Sequence, residues 1–256
     1  MVVSMERWIG KVAIVTGASS GIGAAIARKL AENGMIVVGL ARRKEQIDEV
    51  SKSLKKCKGQ LHGIRCDMSK EEEILKAFQL ATEKLGPVHV LVNNAGIVQD
   101  STLSDGDAQQ WRNVLDVNVL GLCIATREAV RIMKKCDIKG HIVHINSILG
   151  HFIPPEFSIL NMYIGAKHGI TGLAEVLRLE LASENVAIKI TNLSPGMVKS
   201  NIVHAGGFDN SFLGKAFEQD KILDVEDIAD AVIFAISTPP HVQIQQLTIR
   251  PLSDKF

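Results

Sequence analysis

The 256-residue sequence predicts an α/β protein: one doubly wound, mainly parallel sheet of seven strands with helices on both faces. Three observations carry that expectation. Short apolar, β-branched runs alternate with helical stretches along the chain. The first run ends in a glycine-rich turn that opens a helix. The two stretches without clear patterning, about 151–160 and 200–223, both follow strands, at the carboxyl edge where open sheets bind ligands.

Taken in order, Lys11 to Thr16 is a buried parallel strand, and Ile22 to Leu30 is an alanine-rich helix closed by Gly34. Met35 to Leu40 completes a strand–helix–strand unit of about 30 residues. A helix over Lys44 to Lys56 precedes a weaker strand at Gln60 to Cys66. A charged helix over Lys70 to Leu85 leads to a strand at Val88 to Val92. One long helix is expected over Ala108 to Lys134, then a strand at His141 to Ile145. A helix from Tyr163 to Ser183, a strand at Ala187 to Leu193, a helix at Asp227 to Ile236 and a strand at Gln245 to Ile249 finish the pattern. No repeat, linker or low-complexity segment interrupts it, so residues 1–256 read as one domain.

Composition narrows the function classes. A net charge of +1 with interspersed signs gives no nucleic-acid surface. The four cysteines lack metal-ligand spacing, so no metal is expected, and they read as reduced thiols. The longest apolar runs are too short to span a bilayer, and residues 1–10 lack the apolar block of a signal peptide. The expectation is a soluble cytoplasmic protein.

The chemistry-bearing residues begin with Thr16-Gly17-Ala18-Ser19-Ser20-Gly21-Ile22-Gly23. Between a strand and a helix, such glycines let the backbone approach a pyrophosphate, and the helix amino terminus offers free N–H groups and a positive dipole end. This is the context of a Rossmann-type dinucleotide site, although the spacing is Gly-x-x-x-Gly-x-Gly. About 20 residues on, an NAD site places a carboxylate at the end of the second strand. Here Ala41 stands there, followed by Arg42 and Arg43. Arginine forks suit a 2′-phosphate, so NADP(H) is expected over NAD(H). Asp67 either accepts from an adenine amino group or caps the helix that follows near Ser69.

Asn93-Asn94-Ala95-Gly96 ends the fourth strand, as a cleft lining or a simple turn. Ser147 ends the fifth, able to bond a substrate oxygen or to cap a helix. Asn118 lies within an apolar helical stretch, where a buried amide costs stability unless it finds partners. Tyr163, the only tyrosine, and Lys167 share a helix face. A phenol titrates near ~10, and a neighbouring ammonium is expected to lower that value.

Together these residues resemble the short-chain dehydrogenase/reductase family: the Thr16–Gly23 loop, Asp67, Asn93 to Gly96, Asn118, Ser147, Tyr163-x-x-x-Lys167 and Pro195-Gly196 stand in family order and spacing. Ser200 departs slightly, since a threonine is usual there. The resemblance implies that Ser147 polarises the substrate oxygen and Tyr163 transfers its proton. It implies that Lys167 lowers the tyrosine pKa and bonds the nicotinamide ribose, and that Asn118 holds a water linking Lys167 to solvent. It implies cofactor contacts from Gly17, Ser19, Ser20, Gly21, Ile22, Gly23, Arg42, Arg43, Asp67, Asn94, Ala95, Gly96, Tyr163, Lys167, Pro195, Gly196, Val198 and Ser200. It also implies a homodimer or homotetramer built through the long helices before strands five and six.

Met5 to Trp8, Val38 to Arg43 and Ile145 to His151 are similar to the insect NADP-dependent farnesol dehydrogenase-like group and its vertebrate keto-steroid-reducing relatives. An apolar alcohol or carbonyl substrate is therefore expected, farnesol first. Steroid or xenobiotic ketones and, last, β-ketoacyl thioesters are alternatives, as is a scaffold that binds NADP(H) without turnover. Phe152, Ile153, Phe157, Ile159 and Leu160 in the first loop, and Ile202, Val203, Phe208, Phe212, Leu213 and Phe217 in the second, agree with an apolar pocket.

Overall fold

Seven strands form one sheet in the order β3-β2-β1-β4-β5-β6-β7, every pair parallel. They are β1 (Val12–Thr16), β2 (Ile36–Ala41), β3 (Gln60–Arg65), β4 (Val88–Asn93), β5 (His141–Ile145), β6 (Lys189–Pro195) and β7 (Gln246–Ile249). This computed structural model describes residues 3–54, 57–200, 202–208 and 222–252. The winding reverses between β1 and β4, which opens a crevice at their carboxyl ends.

The helices are α1 (Gly21–Glu32), α2 (Lys44–Ser53), α3 (Glu71–Leu85), α4 (Ala108–Leu115), α5 (Gly121–Lys135), α6 (Asn161–Ser183), the single turn α7 (Ile202–Ala205) and α8 (Val225–Ser237). One face of the sheet packs Val15, Val37, Val92 and Val143 against α1, α2 and α8. The other packs Ile14, Leu91, Ile142 and Ile190 against α3, α5 and α6. Strands buried on both faces need continuous apolar runs rather than alternation, which is why β1 reads VAIVT. Each such fully buried side chain contributes roughly 1.5–3 kcal/mol.

Three expectations change in detail. The long helix over Ala108 to Lys134 is two helices joined by a π-helical turn at Asp116–Leu120, and Asn118 sits inside that turn. The stretch 151–160 is bounded by two short 3-10 turns, Ile148–Gly150 and Pro155–Leu160. The stretch 200–223 contains α7 and a parallel bridge from Val198 to Leu223. Phe212, Leu213 and Phe217 lie outside the described residues, as do the side chains of Phe157 and Val203.

The carboxyl end of α8 is fastened by cations rather than by an apolar cap. Trp8 Nε1 and Arg7 Nη2 donate to the Ile236 carbonyl at 2.8 and 2.7 Å. Buried Lys189 donates to Thr238 Oγ1 and the Val242 carbonyl, each at 2.8 Å. Cations suit the negative end of a helix dipole. Burial, aided by Arg7, still lowers the lysine pKa to about 8. Among the described residues no helix is long and apolar enough to cross a membrane, and no His/Cys/Asp/Glu group could hold a metal ion.

Candidate active site

The carboxyl ends of β1, β4, β5 and β6 bring the expected residues together. Thr16 ends β1, and the glycine loop follows. Gly17 takes a φ of +68°, a left-handed conformation that side chains resist. At Gly23 a Cβ would stand 2.3 Å from the Gly17 carbonyl oxygen and 2.4 Å from Asn94 Nδ2, so only glycine fits. Thr16 Oγ1 accepts the backbone N–H groups of both Asn94 and Ala95 at 3.0 Å. Asn94 Nδ2 donates back to the Thr16 carbonyl at 3.0 Å. The loops after β1 and β4 are thereby joined into one floor.

Ser20 precedes α1 in extended conformation and makes no side-chain cap bond, so its hydroxyl does not occupy the N–H groups of the first turn. Ser200 approaches the same helix start, its Cβ 3.6 Å from the position a Cβ on Gly21 would take. Ser19 and Ile22 lie within this loop and are partly buried. The Gly196 N–H bonds the Ile249 carbonyl at 2.7 Å, tying the chain after Pro195 to β7. Val198 is buried in the core next to it.

Arg42 and Arg43 follow β2 and are exposed, and among the described residues neither forms an ion pair. Asp67 Oδ1 accepts from Ser69 N at 3.0 Å and Ser69 Oγ at 2.8 Å, which closes the turn ahead of α3 rather than capping the helix itself, whose N-cap is Lys70. Burial raises the Asp67 pKa, but the Ser69 bonds, Arg42 and Lys70 together hold it below the ordinary value.

Asn118 is 1% exposed, and both heteroatoms of its amide find a partner. Oδ1 accepts the Ile97 N–H and Nδ2 donates to the Ile97 carbonyl, both at 2.8 Å. The side chain thus pins the strand extension after Gly96 to the π turn. A π turn also breaks the regular i→i−4 ladder locally, a feature frequent at functional sites.

Ser147 Oγ accepts the Leu149 N–H at 3.1 Å, which forms the cap of the two sequence readings, and it also hydrogen-bonds Tyr163. Lys167 is buried, its Nζ donating to the Ile145 carbonyl at 2.8 Å and lying 5.5 Å from the Tyr163 ring centroid. The electrostatics correct the expectation that this lysine lowers the phenol. Burial pushes Tyr163 up to about 12, opposed only by the Ser147 hydrogen bond. Burial also brings Lys167 down to about 7, so at neutral pH it is not a full positive charge. Removing both groups from water outweighs their mutual effect.

An apolar cluster adjoins the phenol: Val98, Ile148, Leu149, Leu160, Ile164 and Phe208, with Phe152, Tyr163, Met197 and Ile202 packed against it. Ile153 and Ile159 point outward instead. The sequence reading missed the bonding role of Thr16 and a polar group behind Lys167. There Asn93 Nδ2 donates to Thr126 Oγ1 at 2.8 Å and bonds His144 Nδ1 at 3.1 Å. The signal was available: polar residues inside otherwise apolar buried strands.

The sheet order and its switch-point loop define a dinucleotide-binding α/β fold. The family model described as short chain dehydrogenase matches residues 11–208, and the chain belongs to that family of oxidoreductases. It is 46% identical over 254 residues to farnesol dehydrogenase of Aedes aegypti, covering 98% of this chain and 100% of that one. It is 42% identical over 251 residues to dehydrogenase/reductase SDR family member 11 of Mus musculus, covering 96% of each. An alcohol dehydrogenase from Thermococcus sibiricus, solved with 5-hydroxy-NADP, superposes with a TM-score of 0.83 at 24% identity over 96% of this chain and 98% of that one.

Proposed function

We propose that the protein is an NADP(H)-dependent alcohol dehydrogenase/carbonyl reductase for apolar substrates, with farnesol or a related isoprenoid alcohol as the first candidate. The carrying observation is the Tyr163 phenol, bonded to Ser147, backed by Lys167 and facing an apolar cluster. The glycine cradle at Gly17 and Gly23 and the α1 start fit a pyrophosphate, and unpaired Arg42 and Arg43 fit a 2′-phosphate. Asp67, Asn94, Ala95, Gly96, Pro195, Gly196, Val198 and Ser200 line the same crevice in this reading. The similarity to the Aedes farnesol dehydrogenase supports the substrate class.

When bound, the cofactor supplies the hydride carrier and, oxidised, a positive charge. In carbonyl reduction Ser147 polarises the substrate oxygen, and Tyr163 O–H gives it a proton as the carbon gains hydride. A phenol near 12 is protonated at neutral pH, which suits the donor role. In alcohol oxidation Tyr163 takes the proton, and its phenolate is stabilised by the Ser147 hydroxyl and by Lys167 once that is charged. The Ile145 carbonyl holds Lys167 in place, and Asn118 fixes the loop beside it.

A homodimer or homotetramer is part of the reading: α6 leaves Val176 and Leu179 exposed, in line with Gly165, Gly169 and Gly172. The described free cysteines agree with a reducing compartment, the cytosol. The test is Tyr163→Phe, assayed with isoprenoid alcohols, steroids and aldehydes and with both cofactors. Turnover is expected to vanish while NADPH still binds. Retained turnover rejects the assigned role, and NADPH binding without turnover of any substrate by the unmodified protein favours a scaffold.

A further inference from the structure

β4, β5, β6 and β7 place Asn93, His144, Asn192 and Gln246 in register. Residues in register on neighbouring parallel strands share a face, about 4.8 Å apart. The next row on that face, Leu91, Ile142 and Ile190, is apolar core. One polar row therefore crosses the sheet beneath α5 and α6, from behind Lys167 to the edge strand.

The row is not closed on itself. Asn192 is 1% exposed, yet among the described residues neither Oδ1 nor Nδ2 has a partner, and Asn93 Oδ1 and Asn146 Oδ1 are likewise buried and unpaired there. Native proteins satisfy such groups with ordered water where there is room. Room is that of about one water: a small recess, partly open to solvent, is lined by Thr171, Glu175, Arg178, Asn192, Gln245 and Gln246. Glu175 is held there by Arg178 at 2.7 and 2.8 Å and by Gln245 at 2.7 Å. Thr171 Oγ1 accepts from Asn146 Nδ2 at 2.8 Å, and Asn146 follows Ile145, whose carbonyl holds Lys167. His144 Nδ1 hydrogen-bonds Asn93 Nδ2 at 3.1 Å.

We propose that this row is a hydrated seam, in which an ordered water on the Asn192 amide links the solvent-open recess to His144, Asn146 and Lys167. It gives the lysine a proton exit beneath α6, separate from the Asn118 side. In alcohol oxidation the proton taken by Tyr163 passes by way of the Lys167 side chain to seam water and leaves to solvent at Glu175. In reduction it runs in reverse. Among the described residues, Tyr163, Lys167, Glu175 and Arg178 of α6, His144 of β5 and His151, bonded to Ser194 of β6 at 2.8 Å, are charged or titratable groups along it. β4 and α5 contribute neutral Asn93 and Thr126. The kinetic half of this proposal rests on the proton role of Tyr163 proposed above, whereas the water site does not.

The experiment pairs a high-resolution crystal structure of the NADP(H)-bound protein with solvent isotope effects. A water within hydrogen-bonding distance of Asn192 Oδ1 and Nδ2 is expected; a dry amide, or one bonded to protein groups, overturns the seam. Asn192→Val is expected to raise the solvent deuterium isotope effect on kcat by about twofold or more, with KM for NADPH unchanged. Asn192→Ser, which keeps a polar group and room for water, is expected to retain the wild-type effect. An unchanged isotope effect in Asn192→Val, or an equal rise in Asn192→Ser, overturns the proton route. Should the valine variant not fold, the crystallographic water decides the seam, and a raised effect in the serine variant overturns the proton route. Retained turnover in Tyr163→Phe would instead sink the proposed function and leave the water result standing.

Discussion

Replacing Asn118 by leucine tests the bond pattern that joins the π turn to the chain after β4. Leucine is close in volume, so packing changes little and the effect is mainly polar. The substitution removes both hydrogen bonds to Ile97 and leaves a part-buried N–H and carbonyl without their side-chain partner, so the cost of fully buried groups is the upper bound. Each such group, fully buried, costs about 1–3 kcal/mol, so the loss is at most about 2–6 kcal/mol. For a chain of this size each kcal/mol lowers Tm by about 2–4 °C, giving a fall on the order of 10 °C. Urea unfolding followed by circular dichroism, with a thermal scan in parallel, measures it. Turnover should fall with the loosened loop even at temperatures where the variant is folded. A stability loss below about 1 kcal/mol would refute the reasoning, because water would then be satisfying Ile97 as well as the amide does.

Three further outcomes follow from the geometry. Arg42→Ala should weaken NADPH by about tenfold or more and NADH little, measured by fluorescence titration; equal losses would reject the phosphate contact. Gly23→Ala should drive the glycine loop off Asn94 and weaken either cofactor by a similar factor of at least about ten, and unchanged binding would mean the cradle yields freely. Stability should fall on the acid side. Burial, with Lys167 beside it, lowers His144 to about 4, and His141 moves the same way, so the unfolded chain takes up protons first as pH drops from about 6.5 towards 4. By the same sign, Lys167 at about 7 and Lys189 at about 8 bind protons less readily than in the unfolded chain, so stability should rise from about pH 7 towards 10. Urea midpoints at about pH 5, 7 and 9 check this, and a flat profile contradicts it.

Much of this arrangement was legible in the residues. Apolar runs such as Ala13 to Val15 must be buried on both faces, and that alone dictates a covered parallel sheet. The Tyr163–Lys167 spacing fixes their shared helix face before any tertiary contact is known. What stayed hidden depends on distant pairing. The Asn118 partner is Ile97, 21 residues away, and no local pattern names it. The row from Asn93 to Gln246 exists only once strand register is known, because a slip of one residue would turn each side chain to the other face. The rise of the Tyr163 phenol was missed because spacing reports a neighbour's charge, whereas the removal of water depends on how Ile148, Leu160 and Phe208 assemble around it.

The two bonds into Thr16 Oγ1 make mechanical neighbours of places far apart in sequence. From that hydroxyl the chain runs through Asn94, Ala95 and Gly96 to Ile97, and there the Asn118 amide takes over. The phosphate-facing loop and the bend between α4 and α5 therefore stand at two ends of one short tether. Any ligand that stills the first shortens the excursions open to the second. Amide hydrogen exchange at Ile97 should slow when a phosphate-bearing ligand seats at the Thr16–Gly23 loop.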